Sequence, residues 1–303
     1  MTTKEQVKHK LKREVGLTWR LFNLGPTLTY RRSGKRPAGE AARVLAALQR
    51  DGVATTSVSA LLGSDDLLHE MQAAAAVLEQ EKAAELAATR AAAASRGDVG
   101  QKTYLVELLG AIATADPCSP WARMALHPDV RGVANGYFGM LTQVRDYNVW
   151  RNLRTDSPLR ESQLWHRDWR EDRYVLKAFV YLEDVDEGRG PFTYVPGTHV
   201  RGSRRVEPVT AMEGTHRRAT DEQMAAALPP SEWLTATGPA GTLLFADTTG
   251  WHKGGSARTG DRLLYTCLFG SQAGDKRRRL RPNPALSLAE QDPDTLFALD
   301  LVR

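Results

Sequence analysis

The second half of this chain leaves little choice of architecture. From about residue 140, short runs rich in β-branched and aromatic residues alternate with Gly, Pro and charged turns. The runs read LTQVRDYNVW, SQLWHRDW, YVLKAFVYLEDV, PFTYVPGTH, RVEPV, EWLTAT, GTLLFADTT and RLLYTCLFG. Roughly eight strands divided by turns point to a double-sheet roll or sandwich. The first half reads differently, as mostly helical. GEAARVLAALQR (39–50) puts apolar residues at helical spacing, and Gly52 is placed to end that helix. VATTSVS reads as a short strand. Ser64, with Asp65 and Asp66 behind it, reads as the N-cap of one long Ala-rich helix ending near Gly97. TYLVELLGAIATA reads as a further helix, and Pro128 opens another through PDVRGVANGYFG.

The flanks carry their own texture. Residues 1–38 are basic and contain Gly25, Pro26, Gly34 and Pro37, which predicts an irregular arm. Residues 273–303 hold KRRRLRPNP and then an amphipathic stretch interrupted by Pro293. No Gly/Ser linker divides residues 39–272, so they are expected to form a single domain.

Composition narrows the class. With 303 residues, 42% hydrophobic and 25% charged, the chain is of ordinary globular make-up. A chain this long buries roughly three quarters of its unfolded surface and needs no disulfide to hold a core. No run approaches the roughly 18 apolar residues of a membrane span, and no apolar segment follows the basic start. Two cysteines, Cys118 and Cys267, fit a reducing cytoplasm. The expectation is a cytoplasmic protein with no membrane partner. The net charge of +5 admits an anionic ligand or nucleic acid, or simply solvated faces.

QLWHRDW carries the most chemistry. His166 and Asp168 are two apart in a run that reads as a strand, so both side chains leave one face. His252 follows a β-run that ends in a turn. Two histidines and one carboxylate on one side of a metal leave three positions open, the arrangement of non-haem Fe(II) oxygenases. Arg262, ten residues after His252, begins a strand and can hold a carboxylate bidentately.

With these residues in view, the sequence resembles the phytanoyl-CoA dioxygenase family of Fe(II)/2-oxoglutarate-dependent oxygenases. The resemblance lies in WHRDW, then LKAFVYLEDVDEGRGPFTYVPGTH, then WHKGGS with Arg262, and runs from about residue 45 to 272. It implies an α+β fold: a double-stranded β-helix (jelly-roll, cupin-like) core with helices packed around it. It implies iron on His166, Asp168 and His252, with 2-oxoglutarate chelating that iron, its far carboxylate on Arg262, and O2 as oxidant. Related halogenases have a small residue in place of the carboxylate. Asp168 therefore favours hydroxylation or another oxygenase outcome over halogenation.

Other positions stay open. Lys177, Phe179 and Tyr181 share strand parity. Lys177 either offers a second cation to 2-oxoglutarate or snorkels to solvent. Gln163 and Asn148 either meet the co-substrate or substrate or make structural hydrogen bonds, and Thr266 is a candidate for the Arg262-bound carboxylate. His199 reads as a loop brace. Trp165, Trp169 and Trp251 flank the ligands as substrate wall or core. Basic clusters at 201–205, 216–218 and 276–281 sit in expected loops, where they could hold an anionic substrate. The expected activity is hydroxylation of a small molecule. A non-oxidative cupin-like metal protein or isomerase, and a nucleic-acid-binding protein using the basic loops, are the alternatives. The lack of aromatic interleaving counts against nucleic acid.

Overall fold

The computed structural model describes residues 15–94, 104–168, 171–213, 216–274 and 280–301. Its helices are α1 (Gly16–Phe22), α2 (Leu24–Ser33), α3 (Gly39–Asp51), α4 (Val58–Leu62), α5 (Asp66–Glu81), α6 (Ala83–Ala94), α7 (Pro120–Leu126), α8 (Pro128–Phe138), α9 (Asp221–Ala227) and α10 (Pro293–Ala298). The strands are β1 (Val53–Ser57), β2 (Leu105–Glu107), β3 (Ala113–Ala115), β4 (Gln143–Asn152), β5 (Leu176–Tyr181), β6 (Phe192–Tyr194), β7 (Ala211–Glu213), β8 (His216–Arg218), β9 (Leu234–Ala236), β10 (Thr242–Asp247), β11 (His252–Gly254), β12 (Arg262–Gly270) and β13 (Leu280–Pro282). A six-stranded sheet in the order β1-β10-β5-β12-β4-β2 is antiparallel throughout. A three-stranded antiparallel sheet runs β11-β6-β9.

Strand parity divides the core into two layers. Leu176, Ala178 and Val180 of β5, Leu243 and Phe245 of β10, and Tyr265 and Cys267 of β12 pack outward against the helices, where Val44 and Leu48 of α3 and Met71 of α5 meet them. Phe179 and Tyr181, Leu244 and Ala246, and Leu264 point the other way, onto Phe192 and Tyr194 of the small sheet. The central strands are buried on both faces, which accounts for their nearly continuous apolar reading. The inner layer opens at one end into the candidate site.

Several expectations need correction. Residues 16–33 of the expected irregular arm instead form α1 and α2, anchored by buried Trp19 and Tyr30, and its residues 1–14 lie outside the described residues. The long Ala-rich helix is interrupted at Lys82, although Lys82 N to Leu78 O (3.0 Å) and Leu86 N to Lys82 O (2.9 Å) carry the ladder across the break. TYLVELLGAIATA is not a helix: β2 pairs with the edge of β4, Gly110 turns at φ 75°, and β3 pairs with β13. Leu, Val and Ile there satisfy either period, and pairing to an open edge decides. RVEPV forms no strand, in keeping with the missing donor of Pro208. SQLWHRDW holds only a 3-10 turn and two isolated bridges. Residues 216–218, expected in a loop, pair with β7 as β8. Pro293 starts α10 rather than interrupting a helix. Among the described residues no helix is long and apolar enough to cross a membrane.

Gly52 joins the helical layer to the large sheet. It ends α3 at φ 76°, donates to Leu48 O at 2.9 Å and accepts from Asp247 N at 2.8 Å. A Cβ there would come within 2.5 Å of buried His199 Nδ1 and of the Tyr194 hydroxyl. Gly63, also left-handed at φ 82°, has open space around it. Gly63→Ala should therefore cost only the backbone strain of about 1 kcal/mol, whereas Gly52→Ala adds a core clash and should cost about 3 kcal/mol or more. Equilibrium denaturation of both variants checks this; equal losses would show that the His199 packing gives way freely.

Candidate metal centre

Two extended segments meet at the open end of the inner layer. His166 N donates to His252 O at 2.9 Å, and His252 N donates to His166 O at 3.0 Å. This reciprocal bridge sets the two imidazoles beside each other, with ring centroids 4.2 Å apart. Two residues on, Asp168 N donates to Thr248 O at 2.8 Å, which turns its carboxylate to the same side. One ligand atom from each of His166, Asp168 and His252 lies within 4.8 Å of the other two.

Hydrogen bonds and burial set the protonation states. His166 Nδ1 lies 2.8 Å from Leu164 O, and His252 Nδ1 lies 3.0 Å from Gly250 O. A carbonyl can only accept, so Nδ1 carries the proton and Nε2 keeps its lone pair. Burial pushes the His252 imidazole down to about 4, and burial beside His252 holds His166 well below the usual histidine range. For Asp168, burial opposes ionisation, but the Lys177 ammonium and the two histidines overcome it and hold the carboxyl well below the ordinary range. Two neutral imidazoles and one carboxylate at neutral pH are the protonation states a bound metal requires. The donor set, nitrogen and oxygen without thiolate, suits Fe(II) with open positions.

These residues line a cavity of about 310 Å³, of small-molecule size. Arg262 lines it too and is 3% exposed. Burial lowers its pKa, yet a guanidinium remains charged. β12 pairs with β4 so that Arg262 faces Asn152. With its amide oxygen turned to the arginine, Asn152 accepts from Arg262 Nε and Nη2. Arg262 Nη1 is a buried donor without a hydrogen-bond partner among the described residues. Such a donor fits an anionic group held inside the cavity, as the far carboxylate of 2-oxoglutarate would be.

Lys177, Phe179 and Thr266 also line the cavity. Lys177 Nζ donates to Asp168 Oδ2 at 2.7 Å. Phe179 stacks near Phe192, with centroids 4.8 Å apart. Asn148 and Gln163 are not among the lining residues. Asn148 donates to Gly110 O at 2.8 Å and accepts from Leu109 N at 3.1 Å, while the Gln163 amide oxygen accepts from Arg160 N at 3.2 Å. Both make structural hydrogen bonds. Trp165 is buried against Trp233 and donates to Asp221 Oδ1 at 2.7 Å; Trp251 donates to Val206 O at 2.7 Å. Both belong to the core, and Trp169 lies outside the described residues. The 201–205 cluster is tied down elsewhere. Arg201 sits over Tyr137 and Tyr174, Arg204 pairs with Glu232, and Arg205 donates to Gly202 O. Residues 276–279 also lie outside the described residues.

Sequence reasoning missed Tyr104, Asn152, Glu161 and Ser162, all on the cavity wall, and singled out Arg218, on the same wall, only as part of the 216–218 basic cluster. Arg218 is 7% exposed, lies 3.6 Å from Glu161, and adds positive charge near both His166 and His252. Glu161 is one of two non-glycine residues at positive φ among the described residues, at 51°, a strained conformation found often at functional sites.

No curated protein gives a significant match. Among solved structures, the chain is similar to EctD from S. alaskensis with 2-oxoglutarate and 5-hydroxyectoine, at 17% identity over 83% of this chain and 90% of that one, with a TM-score of 0.50. Looser likenesses are the epimerase SnoN in complex with Fe3+, alpha ketoglutarate and nogalamycin RO (22% identity, 77% and 84% coverage, TM-score 0.46) and the carbocyclase SnoK from nogalamycin biosynthesis (18%, 78% and 87%, 0.47). At these identities the likeness concerns the fold alone. The sequence profile of phytanoyl-CoA dioxygenase (PhyH) matches residues 48–263, and the chain belongs to that family.

Proposed function

We propose that this protein is an Fe(II)/2-oxoglutarate-dependent dioxygenase that hydroxylates a small molecule. One observation carries the reading: a His-Asp-His ligand set and a deeply buried guanidinium, Arg262, line the same cavity. The two antiparallel sheets around it correspond, in this reading, to the halves of a double-stranded β-helix, with residues 39–272 as its single domain.

Iron and 2-oxoglutarate, when bound, supply oxygen activation and an oxidative decarboxylation to succinate and CO2, coupled to hydroxylation of the substrate. The residues do the rest. His166 and His252 would hold the metal through Nε2 and Asp168 through its carboxylate. Arg262, its Nε edge occupied by Asn152, would meet the far carboxylate of 2-oxoglutarate through Nη1, and Thr266 lines the same cavity. Lys177 orients Asp168 by holding one carboxylate oxygen. Phe179, Phe192 and Leu264 keep water from the inner wall. Arg218, a buried cation by the histidines, supports a substrate that carries an anionic group.

Two predictions test the reading. His166→Ala, Asp168→Ala and His252→Ala should each weaken Fe(II) binding by on the order of 100-fold or more and abolish 2-oxoglutarate turnover. Metal titration with turnover assays checks this, and stoichiometric iron with near-native activity in two of the three would refute the ligand assignment. The second separates the two cavity cations. A charge-assisted hydrogen bond contributes roughly 1.5–3 kcal/mol, and removing Arg262 also leaves a buried carboxylate unpaired. Arg262→Ala should thus weaken 2-oxoglutarate by on the order of 100-fold under anaerobic Fe(II), with partial rescue in Arg262→Lys. Lys177→Met should act chiefly on metal affinity, through Asp168. A larger loss of 2-oxoglutarate binding at Lys177 than at Arg262 would exchange their roles.

A further inference from the structure

The N-terminal helices carry apolar residues on two opposite faces. Asn23 interrupts α1 and α2 for a single residue, and the helical ladder continues across it through Asn23 N to Trp19 O (3.2 Å) and Thr27 N to Asn23 O (3.0 Å). Trp19, Asn23, Pro26 and Tyr30, spaced i, i+4, i+7 and i+11, are all buried against the body of the protein. Leu17, Leu21, Leu24 and Leu28 repeat that spacing two residues out of phase, about 200° around the helix. They are 70%, 63%, 50% and 37% exposed. An exposed leucine alone is ordinary, but four in one helical row form a continuous apolar stripe.

Charge surrounds the stripe with one sign. Residues 15–36 hold five Lys and Arg and no acidic residue, in a chain whose total is +5. Among the described residues, the helices that carry the stripe therefore bear charge of one sign. Arg20, Arg31, Arg32, Lys35 and Arg36 are all exposed.

We propose that this face docks on an anionic lipid surface. Helix pairing is commonly specified by flanking charges of both signs, and here the flanks carry one. A second copy of the chain would bring another five positive charges, on residues 15–36, against the first. Anionic headgroups complement the basic residues, and the leucine row meets the acyl boundary, as in amphipathic helices that lie in the membrane interface. Such contact needs no spanning segment, so the sequence-based expectation of no membrane partner, drawn from the lack of a span, does not bear on it. The helix is tied to the segment that reaches the cavity wall. Trp19 Nε1 donates to Asp172 Oδ1 at 2.9 Å, and the neighbouring Glu171 lines the cavity wall.

The test is co-sedimentation of the full-length protein with vesicles of phosphatidylcholine alone and of phosphatidylcholine with phosphatidylglycerol. We expect at least about 10-fold stronger binding to the anionic vesicles, weakened by high salt. Leu21→Gln/Leu24→Gln and Arg31→Glu/Arg32→Glu should each reduce binding at least about 5-fold while keeping the thermal midpoint of the parent, since all four side chains are exposed. Equal binding to both vesicle types, or variants that bind like the parent, would overturn the proposal. A dimer in light scattering that the leucine variant abolishes would also overturn it, assigning the face to a second copy.

Discussion

The reciprocal backbone bridge between His166 and His252 is the interaction on which the site depends. Its two hydrogen bonds, 2.9 and 3.0 Å, join segments 86 residues apart in sequence. Neither imidazole needs a long side chain to find the other, because the main chain has already brought them together. The same run continues to Asp168 N on Thr248 O, so three ligands are set by main-chain pairing. Burial at this junction keeps the rings neutral, and each Nδ1–H is held by a carbonyl two residues upstream. Fold and ligand chemistry have a common cause here.

Charge inside the cavity is arranged by position. Burying a cation is costly unless a partner or a bound anion compensates it. Lys177 has its compensation in Asp168, and Arg218 has Glu161 at 3.6 Å. Arg262 meets the amide of Asn152 along one edge, and its Nη1 is a buried donor without a hydrogen-bond partner among the described residues. That contrast between the two inner-wall cations, rather than their distance from the metal ligands, separates a residue that orients the carboxylate from one suited to a co-substrate.

Much of this was legible in the sequence for definite reasons. His166, Asp168, His252 and Arg262 are unusual residue types at short, fixed offsets in β-rich runs, and such offsets survive ignorance of the tertiary pairing. The shared face of Lys177 and Phe179 followed from a period of two in a strand that is regular in the structure. Register was not legible. Asn152 stands opposite Arg262 only because β4 and β12 pair as they do, and Arg218 reaches the histidines from a short hairpin that the sequence presented as a basic loop. Lys177 illustrates the limit: parity gave its face, but the choice between co-substrate, solvent and Asp168 depended on a contact nine residues away. The N-terminal helices escaped notice because Gly25, Pro26, Gly34 and Pro37 suggested breaks, whereas Pro26 sits in the first turn of α2, where its missing N–H costs nothing.

The central claim is that one cavity holds a metal on His166, Asp168 and His252 and a dicarboxylate between that metal and Arg262. A crystal structure of the protein prepared without oxygen with Fe(II) and 2-oxoglutarate tests it most directly. The account predicts one ion contacting both histidine Nε2 atoms and the Asp168 carboxylate, with the far carboxylate of 2-oxoglutarate hydrogen-bonded to Arg262. An ion held by other residues, or 2-oxoglutarate bound away from Arg262, would contradict it.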